Sequence, residues 1–145
     1  MIVAFVIALA AMAAQAATPA PPASVLPLGD LPQQPLAKNS CAMFLWERAT
    51  GRRIAMATAQ PSQMLVILGG RATSLPGIDS SEAGAPVLGF AAKRQYRSAA
   101  ITVALDLAIV PATSGGAIIR DGILTLTQDD GTAIVAPVAG IIGCQ

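Results

Sequence analysis

From Cys41 to the C-terminus the chain is a succession of short apolar runs, cut by Gly, Pro and Asp roughly every eight to twelve residues. No stretch there keeps the three-to-four-residue apolar spacing of an amphipathic helix. A chain with that rhythm is restricted to an all-β fold.

Ser40 to Arg48 reads as a first strand, Ala49-Thr50-Gly51 as a turn and Arg53 to Thr58 as the returning partner. Gln63 to Leu68 carries Met64, Leu65, Val66, Ile67 and Leu68 without a polar face, which predicts a strand buried on both sides. Residues 74 to 92, rich in Gly and Pro, read as a long loop with a short strand at Val87 to Phe90. Ile101, Val103, Leu105 and Leu107 alternate with smaller or polar residues, the period-two pattern of a strand with one buried face. Asp121-Gly122 and Asp130-Gly131 each separate two apolar runs and suit two-residue hairpin turns, whose positive φ Gly and Asp tolerate. A last strand runs around Val138 to Cys144. The expected architecture is a small antiparallel barrel or sandwich of about seven to eight strands.

The two cysteines stand at the ends of this domain, Cys41 opening the first strand and Cys144 next to last in the chain. In an exported protein they predict one disulfide joining first and last strands. Export is expected from the N-terminus: Ile2 to Ala14 is a continuous apolar stretch, and Ala14-Gln15-Ala16 fits the small-x-small rule for signal peptidase, so cleavage is placed after Ala16. The segment carries no Lys or Arg before its apolar core. After cleavage no run is long enough for a transmembrane helix, which needs about 20 apolar residues. The mature protein is thus expected in the periplasm or secreted. Between signal and domain, residues 17 to 39 are Pro-rich and lack periodicity, and they read as a disordered, extended linker before a domain spanning 40 to 145.

The chain contains no histidine. This removes imidazole acid–base catalysis, His-based triads and His metal sites together. Ser114, in Thr113-Ser114-Gly115-Gly116, has the surroundings of a turn and no base nearby in sequence. The acids fall at turns or, like Asp106 and Glu47, where surface charges are expected. Gly69-Gly70 and Gly115-Gly116 lack the Lys and helix of a phosphate loop. No catalytic residue, metal site or cofactor is therefore assigned. Two basic clusters are candidate binding residues: Arg52 with Arg53 at the first hairpin, and Arg94, Tyr96 and Arg97 within Lys93-Arg94-Gln95-Tyr96-Arg97. A net charge of +1 speaks against nucleic acid as partner. Phe44 and Trp46 share one strand face and are expected in the core.

The plan of signal, Pro-rich tether and small barrel tied from first strand to last resembles the periplasmic or membrane-bound C-type lysozyme inhibitors. The likeness spans Cys41 to Cys144 and includes Leu68-Gly69-Gly70, Leu75-Pro76 and Ser80-Ser81-Glu82-Ala83-Gly84. That family has an aromatic two residues before its first cysteine and a Ser-Gly-Tyr run, whereas here position 39 is Asn39 and Gly84 leads into Ala85 and Pro86. No inhibitory residue transfers. The functional expectation is an exported, non-enzymatic binding or accessory protein whose partner is another protein or an envelope component. Alternatives are a lysozyme-inhibitor-like protein and an envelope structural or assembly subunit.

Overall fold

A computed structural model describes residues 16–20, 26–79 and 84–145. The apolar N-terminal segment and the Ser80 to Ala83 stretch lie outside the described residues. Eight strands follow in order: β1 (Cys41–Glu47), β2 (Arg53–Thr58), β3 (Gln63–Leu68), β4 (Arg71–Ile78), β5 (Lys93–Arg97), β6 (Ile101–Pro111), β7 (Ala117–Gln128) and β8 (Ala133–Cys144). Each pairs antiparallel with its chain neighbour, and β8 returns to pair β1, giving a closed up-and-down barrel. Among the described residues no helix is long and apolar enough to cross a membrane.

Closure is set by the β1–β8 ladder, which runs from Cys41 opposite Cys144 to Glu47 opposite Val138. The two cysteines are bonded to each other, 103 residues apart in sequence. In the chain-entropy model, closing a loop of that length stabilises by about 4–5 kcal/mol. Such a bond fits an extracellular or periplasmic protein.

Alternation fills the inside. Met43, Leu45, Met64, Val66, Leu75, Val103, Leu124, Leu126 and Val138 are among the fully buried side chains from around the wall. At Gly140 a Cβ would run into the Phe44 carbonyl and Leu45, so only glycine lets β8 close on β1 there.

The wall departs from the sequence reading in four places. Residues 71–78 form β4, although 74 to 92 read as loop. The Gly77 N–H donates to Ser62 O at 2.8 Å, so the preceding nitrogen, that of Pro76, faces the β5 side. Pairing with β5 begins only at Gly77 opposite Tyr96, and the missing N–H of Pro76 costs the ladder nothing. Asp121-Gly122 is no hairpin turn: β7 runs through it with a register shift between Ile119 and Gly122, and Gly122 is required because a side chain there would collide with Leu107. Asp130-Gly131 does turn, with Gly131 at φ +86°. Phe44 and Trp46 lie on the half-exposed outer face of β1, their rings 6.5 Å apart and tilted by 46°, because Met43, Leu45 and Glu47 take the inner positions. Leu65 and Ile67 of β3 are half-buried rather than buried, since no second layer covers the outside of a barrel.

In an up-and-down barrel the connections alternate between two ends. The Cys end carries the disulfide and the β2–β3, β4–β5 and β6–β7 connections; the Glu47 end carries the others. Residues 26–31 of the Pro-rich segment, expected to be disordered, are strapped across the Glu47 end. The Gly29 N–H donates to Ile67 O at 2.8 Å and the Leu31 N–H to Arg53 O at 2.7 Å. Leu26 and Leu28 belong to the core cluster and Leu31 is buried. An apolar residue at 26, 28 and 31 is what separates this stretch from a solvated tether.

Candidate functional site

The basic strip of β5 divides between two faces because a strand alternates. Tyr96 is buried in the core, and burial raises its phenol pKa, with the Arg94 charge partly opposing. Arg94 shares the inner face and donates from Nη2 to Ser62 Oγ at 2.8 Å and to Asp79 Oδ1 at 3.4 Å. Lys93 and Arg97 point out, Lys93 pairing with Asp106 at 3.7 Å. The candidate binding residues Arg94, Tyr96 and Arg97 therefore do not share one face of β5.

Arg52 and Arg53 stand at the Glu47 end and hold the strap. Arg52 Nη2 donates to Leu28 O at 3.1 Å, and Arg53 Nε donates to Leu31 O at 2.9 Å. Arg52 also lies 3.7 Å from the Glu47 carboxylate, which accepts from Thr50 Oγ1 at 2.6 Å. Glu47, read as a surface charge, is 1% exposed. It follows Met43 and Leu45 on the inner face at the mouth that the strap covers. The Thr50 hydroxyl and the Arg52 guanidinium compensate the carboxylate at this buried position.

The Cys end is different in kind. Phe90 enters the core from the β4–β5 connection, and Val87 and Phe90 exchange two backbone hydrogen bonds of 2.9 Å. Between them Leu88 and Gly89 form a two-residue turn with φ of +53° and +85°. Such turns favour Asn-Gly or Asp-Gly. Here an aliphatic residue takes the left-handed position, and it is 41% exposed. Beside it lies an open groove of about 400 Å³ lined by Asn39, Ser40, Cys41, Thr58, Ala59 and Gln60 together with the turn. Its lining is uncharged and supplies both donors and acceptors, the chemistry that meets a polypeptide backbone. Sequence reading missed this site. The Leu-Gly pair between two apolar residues was its only signal, and that pair carries none of the usual turn residues.

Ser114 sits in an exposed connection at the same end, where the Ala112 N–H donates to Gly116 O. Among the described residues no group of three acids or cysteines is arranged to hold a metal ion. No protein-family model, curated protein or solved structure matches the chain.

Proposed function

We propose that this protein is a non-enzymatic binding domain that works outside the cytoplasm and recognises another protein through the Cys end of its barrel. One observation carries the reading: Leu88 is exposed in a backbone conformation that disfavours it. A left-handed L-residue costs about 1–2 kcal/mol, less for Asn and nothing for Gly. A side chain 41% exposed leaves part of its burial free energy unrealised in the free protein. Burial in a partner's pocket returns it, since a fully buried Leu is worth about 1.5–3 kcal/mol. Backbone strain at an exposed position supports a binding role, since such strain clusters at functional sites. The filled barrel interior supports the same reading by leaving the ends and outer wall as the surfaces for recognition.

The test compares the mature, oxidised chain with its Leu88→Asn variant as baits for extracytoplasmic extract. One partner is expected on the wild type and lost from the variant, whose barrel is at least as stable. Equal capture by both baits refutes the role of the turn; reproducible capture of nothing refutes the binding role. The likeness in plan to lysozyme inhibitors makes a C-type lysozyme the first defined partner to assay. Lysozyme activity unchanged by a stoichiometric excess of the protein eliminates that version.

A further inference from the structure

The outer wall opposite β4 and β5 carries a row of apolar side chains in register. Val110 of β6 faces Ile118 of β7, Ile118 faces Ile141 of β8, and Ile141 faces Phe44 of β1. Val110, Ile118 and Ile141 are all exposed, Ile141 by 47%. These are neighbours across three strand spacings, about 14 Å at roughly 4.8 Å each. A contiguous apolar surface of that kind marks a contact face.

The β7 bulge sits next to this row. It sends two consecutive side chains, Arg120 and Asp121, out of the wall together. Asp121 pairs with Arg48 at 3.0 Å, yet its side chain is 79% exposed. Among the described residues no carboxylate lies within ion-pair distance of Arg120. Ile118 before the pair and Ile123 after it are both exposed.

We infer that two copies of this chain pair through this face about a twofold axis, with Arg120 of each meeting Asp121 of the other inside an apolar frame. In an isologous contact residue i meets j and j meets i, so a surface can bind itself only if it is its own complement. A neutral apolar row satisfies that condition without repulsion. An adjacent Arg and Asp satisfy it with attraction, twice per dimer, because antiparallel apposition of two bulges places unlike charges opposite each other. The charged pairs lie beside the axis, and the apolar row next to them supplies the buried area of the contact. A contact built on so few apolar side chains gives a reversible dimer. This face is distinct from the Leu88 turn, and the two inferences fail independently.

Sedimentation of the mature, oxidised chain over a concentration series tests it. The weight-average mass is expected to rise toward twice the monomer value. Ile141→Glu should stay monomeric throughout with unchanged circular dichroism, since the position faces solvent in the free barrel. Arg120→Asp sets acids against acids and Asp121→Arg sets arginines against arginines, so each alone should be monomeric. Mixed one to one, they should form a heterodimer of doubled mass. A wild type monomeric at every concentration overturns the inference. So does a dimer indifferent to Ile141→Glu or Arg120→Asp, or the failure of the two charge variants to associate on mixing. Leu88→Asn should dimerise as the wild type does.

Discussion

Replacing Leu28 by Ala measures whether the strap belongs to the folded domain. Leu28 is 2% exposed, sits in the core cluster and bridges to Leu68 at the end of β3. Truncation removes apolar atoms worth about 0.8 kcal/mol per methylene and leaves a cavity, and the usual total is about 2–5 kcal/mol. The barrel sets a ceiling on this loss. If the variant strap detaches while the barrel stays folded, the cost stops at the free energy of strap docking, drawn from Leu26, Leu28 and Leu31 and from the clamps at Gly29, Leu31, Arg52 and Arg53. Urea unfolding followed by the fluorescence of Trp46, the single tryptophan, separates the cases. A loss of about 2 kcal/mol with a slope of about 1–3 kcal/mol/M moves the midpoint down by roughly 0.7–2 M. Amide exchange at Gly29 and Leu31, both bonded to barrel carbonyls, should accelerate further than exchange at Val66. Gln33→Ala, at an exposed position, is the control. If Leu28→Ala falls within about 0.5 kcal/mol of that control, the stretch is a tether and the argument from buried leucines is wrong.

Replacing Cys41 and Cys144 together by Ser should cost about 4–5 kcal/mol, read by denaturant unfolding, and a loss under about 1 kcal/mol would show that the β1–β8 ladder closes the barrel unaided. Gly140→Ala places a methyl against the Phe44 carbonyl, a backbone atom that cannot swing aside; a loss of about 1–3 kcal/mol in thermal or urea melts is expected, and wild-type stability would refute the close approach. Tyr96 makes stability fall in alkali. Its folded pKa is raised above 10.0, so below pH 10 both states keep the proton and the buried neutral phenol contributes in full. Above that the unfolded chain ionises first, and stability drops by up to about 1.4 kcal/mol per pH unit until the folded phenol titrates. Tyr96 is the only tyrosine, so phenolate absorbance reports it directly, and a midpoint at or below 10 would contradict its burial; Tyr96→Phe should flatten the alkaline limb.

How much of this was legible depended on whether a residue's role was set by its neighbours in sequence or across the barrel. The alternation of Ile101 to Leu107 and the Asp130-Gly131 turn are local, and the structure follows them. The disulfide was legible because two cysteines at the limits of a β-domain admit one pairing. β4 was hidden because Pro76 and Gly77 are turn residues by propensity, and only the handover from β3 to β5 makes them acceptable in a strand. Asp121-Gly122 misled for the same reason: Gly122 is there to clear Leu107, a contact invisible in the chain. Phe44 and Trp46 looked like core because they are large, but which face of β1 turns inward is fixed by β2 and β8. The basic strip was legible as composition only, since alternation sends Arg94 and Tyr96 inside and Lys93 and Arg97 out.

A closed barrel whose interior is filled by its own side chains has three places left to act: two ends and an outer wall. The strap resolves the first of these. By crossing at Leu28 and Ile67 it commits Arg52, Arg53 and Glu47 to internal bonds, so that end is occupied by the chain itself. It also holds Leu28 against Leu68 at that end. The six residues of β2, from Arg53 beside the strap to Thr58 beside the groove, separate strap and groove by about 20 Å of strand at roughly 3.3 Å per residue. The wall between them carries the β6–β1 apolar face, so partner binding at the Cys end and pairing of two copies along the side require no shared residue. Fixing Gly29 to Ile67 is what makes that separation rigid: at Gly29 any Cβ would collide with the Ile67 side chain, and Gly29→Val should release the strap while leaving the disulfide and the Leu88 turn in place. Loss of partner capture by that variant would contradict the division of roles between the two ends.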